Sequence, residues 1–182
     1  DFINDHFYFV DGALEEVQLS DILNMTQRLM ALNRVDGVVI DPWNELDDMR
    51  PQSLSETEYI GRCLKSVRHF ARGNDVAMFV VAHPKKMRLK NPKGAPDAAT
   101  EILNQYAVPS LYDISGSSNW KNKSDNGIVV YRDYVDNLTK VYVQKIKFRQ
   151  YGRPGLAEFE FNTTCGVFEP YSKKQEHYAD QF

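Results

Sequence analysis

The stretch Val-Val-Ile-Asp-Pro-Trp-Asn at positions 38–44 constrains the fold more than any other part of the sequence. A run of apolar, β-branched residues leading into an acid predicts a strand that is buried on both faces and ends in a carboxylate. Pro42 disfavours helical backbone at the residue before it, so Asp41 is expected in an extended conformation at the tip of the strand.

A second apolar run, at positions 76–82, also stops at a polar residue followed by proline, here His83. Between the two runs, Ser55 and Glu58 match a helix-capping box. Apolar residues then recur at helical spacing as far as Gly73, which is expected to end the helix. The order strand, helix, strand predicts a parallel β-α-β unit.

In such a unit Asp41 and His83 lie side by side at the carboxyl edge of the sheet, where open α/β folds bind their ligands. Taken singly, an aspartate after a strand is more often a loop starter or a helix cap than a magnesium ligand. A single histidine is more often an ordinary surface or core residue. The pair at corresponding positions of successive strands favours a site for a metal-bound nucleotide, with a histidine that senses its phosphate.

Shorter patterns place the elements that flank this unit. Residues 6–10 predict a short strand, and Ser20 is expected to cap a helix that ends near Asn33. We expect one domain over residues 1–170 and a polar C-terminal tail over residues 171–182.

The C-terminal half reads as a series of strands with turn signals between them. Strands are predicted at 127–131, 140–147, 156–161 and 167–168. Asp136 and Asn137 mark a turn after the first of these strands. The alternating pattern of the second predicts a position near a sheet edge.

Basic residues cluster directly after His83, in a loop that also contains proline and glycine. They are Lys85, Lys86, Arg88, Lys90 and Lys93. Loops of this kind are usually solvated surface, but one that begins at a candidate active-site edge favours anion binding.

A second polar segment, residues 112–121, is rich in serine and contains Gly116. Backbone amides in such a segment can approach phosphates closely. Its single tryptophan, Trp120, can stack on a base or pack in the core, and its pattern does not separate the two.

Composition adds limits rather than a function. The length of 182 residues suits one domain, and 42% hydrophobic with 26% charged residues is typical of a globular protein. A net charge of -3 is no global nucleic-acid signature, so such binding requires a local basic patch. The two cysteines and four histidines do not have metal-ligand spacing, and they fit a reducing compartment. No signal peptide or membrane-spanning apolar run is present in the sequence.

The order of these motifs resembles one family. A strand ends in Asp41, a second ends in His-Pro-Lys-Lys, and Ile-Ser-Gly-Ser precedes Ser-Asp-Asn-Gly-Ile-Val-Val-Tyr-Arg. Lys-Phe-Arg-Gln-Tyr-Gly follows at 147–152, with Gly155 beyond it. The set resembles the RecA-like motor domain of DnaB-type hexameric replicative helicases, most of all the Twinkle and phage primase-helicase branch, over residues 7–168. It implies a partial, three-layer RecA-like α/β fold. The central sheet would be mostly parallel, with helices on both faces and antiparallel strands at the C-terminal end.

The resemblance also implies roles. Asp41 is similar to the Walker B acid, which holds Mg²⁺ through water, and His83 to the residue that senses the γ-phosphate of ATP or another NTP. Lys147 and Arg149 are similar to the pair that reaches the nucleotide of a neighbouring subunit.

Two further segments receive roles in the same way. The basic loop, with Lys85, Lys86, Arg88, Lys90 and Lys93, would be the central-channel loop that holds single-stranded DNA. Residues 114–126 resemble a segment between nucleotide and DNA. Gly116 and Ser117 are expected to contact nucleotide, and Asn119 and Lys121 to contact DNA.

The sequence departs from the family in lacking a Gly-x-x-x-x-Gly-Lys-Ser/Thr phosphate loop. We expect this chain to be the C-terminal part of a larger helicase and to lack ATPase activity by itself. The stretch 91–109 is also longer than the corresponding part of the family pattern. The DNA-binding role of the lysines in the basic loop is therefore the assignment that the resemblance supports least.

The function predicted is therefore part of an ATP-dependent replicative DNA helicase. Its expected partners are single-stranded DNA, a homo-oligomeric ring, expected to be a hexamer, and a possible primase domain in the same chain. We expect a bacterial or phage cytoplasmic protein that does not enter a membrane. One alternative is a non-catalytic RecA-like nucleic-acid-binding or recombination-mediator domain. Another is an ATPase that acts on something other than DNA.

Overall fold

The computed structural model describes residues 1–10, 17–46, 50–84, 106–114 and 118–172. The chain divides into two compact units, Asp1–His83 and Pro84–Phe182.

The first unit contains helices α1 (Phe2–His6), α2 (Leu19–Met30) and α3 (Glu56–Asn74), strands β1 (Gly37–Ile40) and β2 (Ala77–Val80), and a 3₁₀ turn at Trp43–Glu45. Strands β1 and β2 are parallel, and Ile40 is paired with Val80 at their carboxyl ends. Helix α3 connects them, so the predicted β-α-β unit is confirmed.

One face of this strand pair packs against α2 and α3. The buried cluster joins Leu19 of α2, Ile40 of β1, and Cys63 and Val67 of α3.

The opposite face of the strand pair carries exposed apolar side chains. Val39 and its register partner Phe79 are 64% and 56% exposed. The prediction of a strand buried on both faces was therefore wrong for the described chain, because both packing helices of the cluster cover the Ile40 face.

The capping box of α3 is formed as predicted. The Ser55 Oγ accepts from the Glu58 amide, and the Glu58 carboxylate accepts from the Ser55 amide. The helix does not end at Gly73. It continues to Asn74, and Asp75 adopts the left-handed conformation with φ of 51° that terminates it.

Two predictions for the N-terminal region were wrong. Residues 2–6 form α1 and residues 7–10 form no strand, because contacts four residues apart, such as His6 Nδ1 with the Phe2 carbonyl, favour a helical turn. Ser20 lies inside α2 rather than capping it. The Asp21 carboxylate accepts from the Gln18 amide, which starts the helix earlier.

The second unit contains a short helix α4 (Asn119–Lys123) and strands β3 (Asn126–Asp133), β4 (Leu138–Ile146), β5 (Gly155–Asn162) and β6 (Val167–Pro170). A 3₁₀ turn at Arg149–Tyr151 precedes β5. The four strands form an antiparallel sheet in chain order, so the predicted strands and their pairing direction are confirmed.

The position of β4 was predicted wrongly. It pairs with β3 on one side and β5 on the other, so it is an internal strand and not an edge strand. The polar residues of β4 have a different cause: Lys140 binds Asp133 at the end of β3, and Gln144 binds the Pro109 carbonyl. The turn between β3 and β4 is confirmed, and Asn137 has the left-handed φ of 54° that it requires.

No helix among the described residues is long and apolar enough to cross a membrane. The observed mixture of a parallel strand pair, an antiparallel sheet and helices confirms the α/β class.

Candidate functional site

Asp41 lies where β1 ends, on a main chain that stays paired with the neighbouring strand. The Val81 amide donates to the Ile40 carbonyl at 2.9 Å, and the Trp43 amide donates to the Val81 carbonyl at 2.7 Å. Asp41 itself is exposed and precedes a cis peptide bond to Pro42. The structure therefore places this acid at the strand tip, as the sequence predicts.

His83 follows β2 at the same edge of the strand pair. Its main-chain amide donates to Asn44 Oδ1 at 3.1 Å, and the residue is exposed. Asn44 thus holds the backbone at His83 across the gap between the two strand ends. Sequence reasoning missed this role, although an amide side chain directly after the Asp-Pro-Trp turn was a usable signal.

The chemistry of this edge suits an ion held through water. In the described residues no three His, Cys, Asp or Glu side chains come together as a metal site. The carboxylate of Asp41 makes no hydrogen bond or ion pair with another described residue. A single exposed carboxylate of this kind fits Mg²⁺, which keeps several of its own waters and needs only one or two protein carboxylates.

Residues 85–105 and 115–117 lie outside the described residues, and with them the predicted contacts of Lys85, Lys86, Arg88, Lys90, Lys93, Gly116 and Ser117. These assignments stay predictions.

Residues 106–125, where they are described, pack against the sheet of the second unit, and they overlap the segment 114–126 that the resemblance places between nucleotide and DNA. We call residues 106–114 and 118–125 the overlay segment. The Tyr131 hydroxyl donates to the Tyr106 carbonyl at 3.1 Å. Burial raises the pKa of Tyr131, and the nearby Asp133 carboxylate raises it further, so the hydroxyl remains a donor.

Two adjacent residues of β4 anchor the overlay segment at both ends. Gln144 donates to the Pro109 carbonyl at 2.8 Å and accepts from the Leu111 amide at 3.1 Å. Lys145 Nζ donates to the carbonyls of Lys121 and Ser124. Neither anchor was predicted, because polar residues in a strand give no sign of partners more than twenty residues away.

Close packing adds to these anchors. Leu111 is buried and lies so near Gly127 that a Cβ at the glycine would overlap its side chain. Trp120 is only 6% exposed. The open alternative for Trp120 is therefore resolved in favour of core packing, and base stacking by this residue is wrong.

The two described residues predicted to contact DNA lie in α4. Lys121 Nζ is 4.4 Å from the centre of the Tyr112 ring, and Asn119 begins the helix. Tyr112 is 53% exposed, and the sequence analysis gave it no role.

Lys147 and Arg149 both lie beyond the end of β4, although the strand was predicted to reach residue 147. Strand β4 ends at Ile146, and Arg149 begins the 3₁₀ turn, so strand alternation does not orient the two side chains. Lys147 Nζ lies 2.6 Å from Asp125 Oδ1.

Arg149 is exposed, and its guanidinium group makes no hydrogen bond or ion pair with another described residue. Glu158, an acid of the following strand that could have paired with Arg149, lies instead 3.7 Å from Lys140 Nζ. The closer carboxylates of Asp133 and Asp136, at 2.7 and 2.8 Å from the same ammonium group, raise the pKa of Lys140 through hydrogen bonds and keep it charged.

Comparison with known proteins finds a relative by sequence and a solved structure with a similar fold. No family model matches the chain. The "Twinkle homolog protein, chloroplastic/mitochondrial" of Arabidopsis thaliana is 31% identical over 173 residues, which is 92% of this chain and 22% of the relative. A solved structure described as an ATPase domain superposes with a TM-score of 0.65 at 19% identity, covering 86% of this chain and 52% of that one.

The chain is similar to a Twinkle homologue along nearly its whole length, and it has the RecA-like fold of DnaB-like ATPase domains.

The resemblance recognised from the motifs is therefore confirmed, and the RecA-like fold with it. The chain spans about a fifth of the length of the plant relative. The roles of Asp41, His83, Lys147 and Arg149 stay predictions. Their described positions, at a strand edge and after the end of β4, leave Asp41, His83 and Arg149 exposed.

Proposed function

We propose that this chain is part of an ATP-dependent replicative DNA helicase that couples NTP hydrolysis to movement along single-stranded DNA and to duplex unwinding. One observation carries the proposal. Asp41 and His83 follow the carboxyl ends of two hydrogen-bonded parallel strands, in a chain that is similar to a Twinkle homologue.

The proposed roles follow from the chemistry of each side chain. Mg²⁺, when bound with a nucleotide, neutralises charge that develops on the transferred phosphoryl group. Asp41 would hold that ion through water. His83, whose backbone is fixed by Asn44, would contact the terminal phosphate. It would couple phosphate binding to DNA binding by the basic loop, which begins two residues later.

Arg149 would act on a nucleotide bound by a second subunit of a homo-oligomeric ring, which in this proposal is a hexamer. Its guanidinium group makes no bond to another described residue and is permanently charged, and its planar fork can donate two hydrogen bonds to phosphate oxygens. The exposed position supports a role in which the arginine contacts a second subunit.

The test compares two proteins: the 182-residue chain and a full-length protein that includes a phosphate loop. Hydrolysis of ATP is measured with and without single-stranded DNA. The chain alone should show negligible turnover, because no phosphate loop is present in its sequence. The full-length protein should show turnover that single-stranded DNA stimulates, together with strand separation.

Each result decides between the candidates. DNA-stimulated turnover by the 182-residue chain would overturn the proposal that it is an incomplete motor. A natural full-length protein that binds DNA but contains no phosphate loop would favour the nucleic-acid-binding or recombination-mediator alternative. Turnover without DNA stimulation would favour an ATPase with another target. A bacterial or phage cytoplasmic setting stays a prediction, as does an attached primase domain; the relative is described as chloroplastic or mitochondrial.

A further inference from the structure

The overlay segment presents an aromatic ring and a cation side by side. Lys121 Nζ lies 4.4 Å from the centre of the Tyr112 ring, and Tyr112 remains 53% exposed. The ammonium group occupies one face of the ring, so ring surface remains for another planar group. The neighbouring Trp120 is buried and cannot provide that surface.

The backbone on either side of this pair is held in place. Gln144 bonds to Pro109 and Leu111, directly before Tyr112. Lys145 bonds to the carbonyl of Lys121. Because Gln144 and Lys145 are consecutive residues of β4, one strand holds the main chain beside the ring and beside the cation before any ligand arrives. Such preorganisation lowers the ordering cost of binding.

We infer that Tyr112 and Lys121 form a contact for one nucleotide of single-stranded DNA. The Tyr112 ring stacks on an unpaired base, which any base allows because each has a π face. The Lys121 ammonium binds an adjacent phosphate as a point charge. Duplex bases already stack on one another, so the site selects single strands. The inference rests on the proposed function and adds a base-contacting residue to it.

The experiment measures affinity of the 182-residue chain for two oligonucleotides at low salt by fluorescence anisotropy. One is a thymine homopolymer, and the other has the same sugar-phosphate backbone with abasic sites. The variants are Tyr112→Leu, Tyr112→Phe, Lys121→Met and the control Tyr134→Ala. Tyr134 is similarly exposed at 56% but lies in the turn between β3 and β4, at the far end of that strand pair from Asp125.

Loss of the ring should weaken binding only where bases are present. Tyr112→Leu is expected to lower affinity for the thymine strand by roughly 5- to 150-fold and to leave affinity for the abasic strand unchanged. Tyr112→Phe keeps a stacking ring and should recover most of that affinity. Lys121→Met should weaken binding to both strands and reduce the slope of log affinity against log salt by about 0.7. Tyr134→Ala should bind as the parent chain does.

The outcomes separate this inference from the function on which it rests. If the parent chain does not bind single-stranded DNA, the proposed DNA contact of the segment fails, and the inference fails with it. If the parent binds but Tyr112→Leu is unchanged, or weakens binding to both strands equally, the stacking role is wrong while the proposed function stands. An equal reduction in Tyr134→Ala would likewise overturn the assignment of this site.

Discussion

Lys147 is joined twice to Asp125. Its ammonium group lies 2.6 Å from the Asp125 carboxylate, and its main-chain amide donates to the Asp125 carbonyl at 3.0 Å. These bonds connect the end of β4 to the residue before β3. Lys147 therefore has a local partner, whereas Arg149, two residues later, has none among the described residues. The geometry favours Arg149 over Lys147 as the residue that reaches a neighbouring subunit.

Replacing Arg149 should therefore affect hydrolysis far more than replacing Lys147. In the full-length ring, Arg149→Ala is expected to lower turnover by about 10³–10⁵ with nucleotide binding largely retained, as for other arginine fingers. Lys147→Met should reduce turnover less. Arg153→Ala, which removes another exposed arginine four residues on, is the matched control. Steady-state hydrolysis and nucleotide titration give both quantities.

Mixed rings make this prediction sharper. Arg149→Ala subunits combined with subunits that lack a working phosphate loop should regain part of the activity, because the second kind supplies the arginine to the intact nucleotide site of the first. If rings are shown to be mixed but remain inactive, the arginine-finger assignment is wrong and Arg149 is an ordinary surface residue.

Asp41→Asn in the full-length protein should abolish Mg²⁺-dependent hydrolysis and leave the fold intact. The side chain is exposed and has no described partner, so the free energy of unfolding should change by no more than about 0.5 kcal/mol. Asp36→Asn, at the amino end of the same strand, is the control. Its exposed pair with Arg34 contributes little to stability. Turnover at the parent rate in Asp41→Asn would disprove the metal-site assignment.

Neutralising Lys85, Lys86, Arg88, Lys90 and Lys93 together should weaken binding to single-stranded DNA. The slope of log affinity against log salt should fall by roughly 0.7 for each phosphate that the loop no longer binds. Titrations at several salt concentrations measure that slope. Substituting five exposed basic residues of the first unit, Arg28, Arg34, Arg62, Lys65 and Arg72, provides a charge-matched control. A slope that does not change would place the main DNA-binding residues elsewhere.

Gly127→Ala should destabilise the second unit. The new methyl group would overlap Leu111, so the buried Leu111 side chain must shift, and such overpacking costs about 1–3 kcal/mol. Gly73→Ala is the matched control, because a Cβ there meets nothing within 4 Å and lies in a helix. It should be neutral or stabilise by up to about 1 kcal/mol. Chemical denaturation distinguishes the two signs, and equal effects would contradict the packing described for Leu111.

The capping box of α3 predicts a pH dependence. Hydrogen bonds from the Ser55 hydroxyl and amide hold the pKa of Glu58 below its ordinary value of 4.5. A carboxyl whose pKa is lowered by folding stabilises the protein above its unfolded-state pKa, and the contribution disappears as pH falls through the folded-state pKa. Glu58→Gln should therefore reduce the loss of stability on acidification, measured as Tm from neutral to acidic pH. Glu56→Gln, in the same helical turn, is the control, and identical Tm profiles for parent and Glu58→Gln would contradict the box.

Local patterns along the chain were sufficient for much of the fold and for the candidate edge. The apolar runs, the Ser55–Glu58 box and the motif order predicted the parallel strand pair, helix α3, the four antiparallel strands and the positions of Asp41 and His83. These features depend on backbone periodicity and on side chains within a few residues, so the nearby sequence contains the information.

Tertiary contacts decided the rest. Whether β4 is internal depends on which strands pair with it, and alternation alone does not reveal its neighbours. Trp120 is buried and Tyr112 exposed because Gln144, Lys145 and Gly127 hold the overlay segment against the sheet. The bond between Lys147 and Asp125 joins residues 22 positions apart. Burial and partner choice at such distances arise only when the strands are assembled, because they depend on surfaces that the separate segments do not possess.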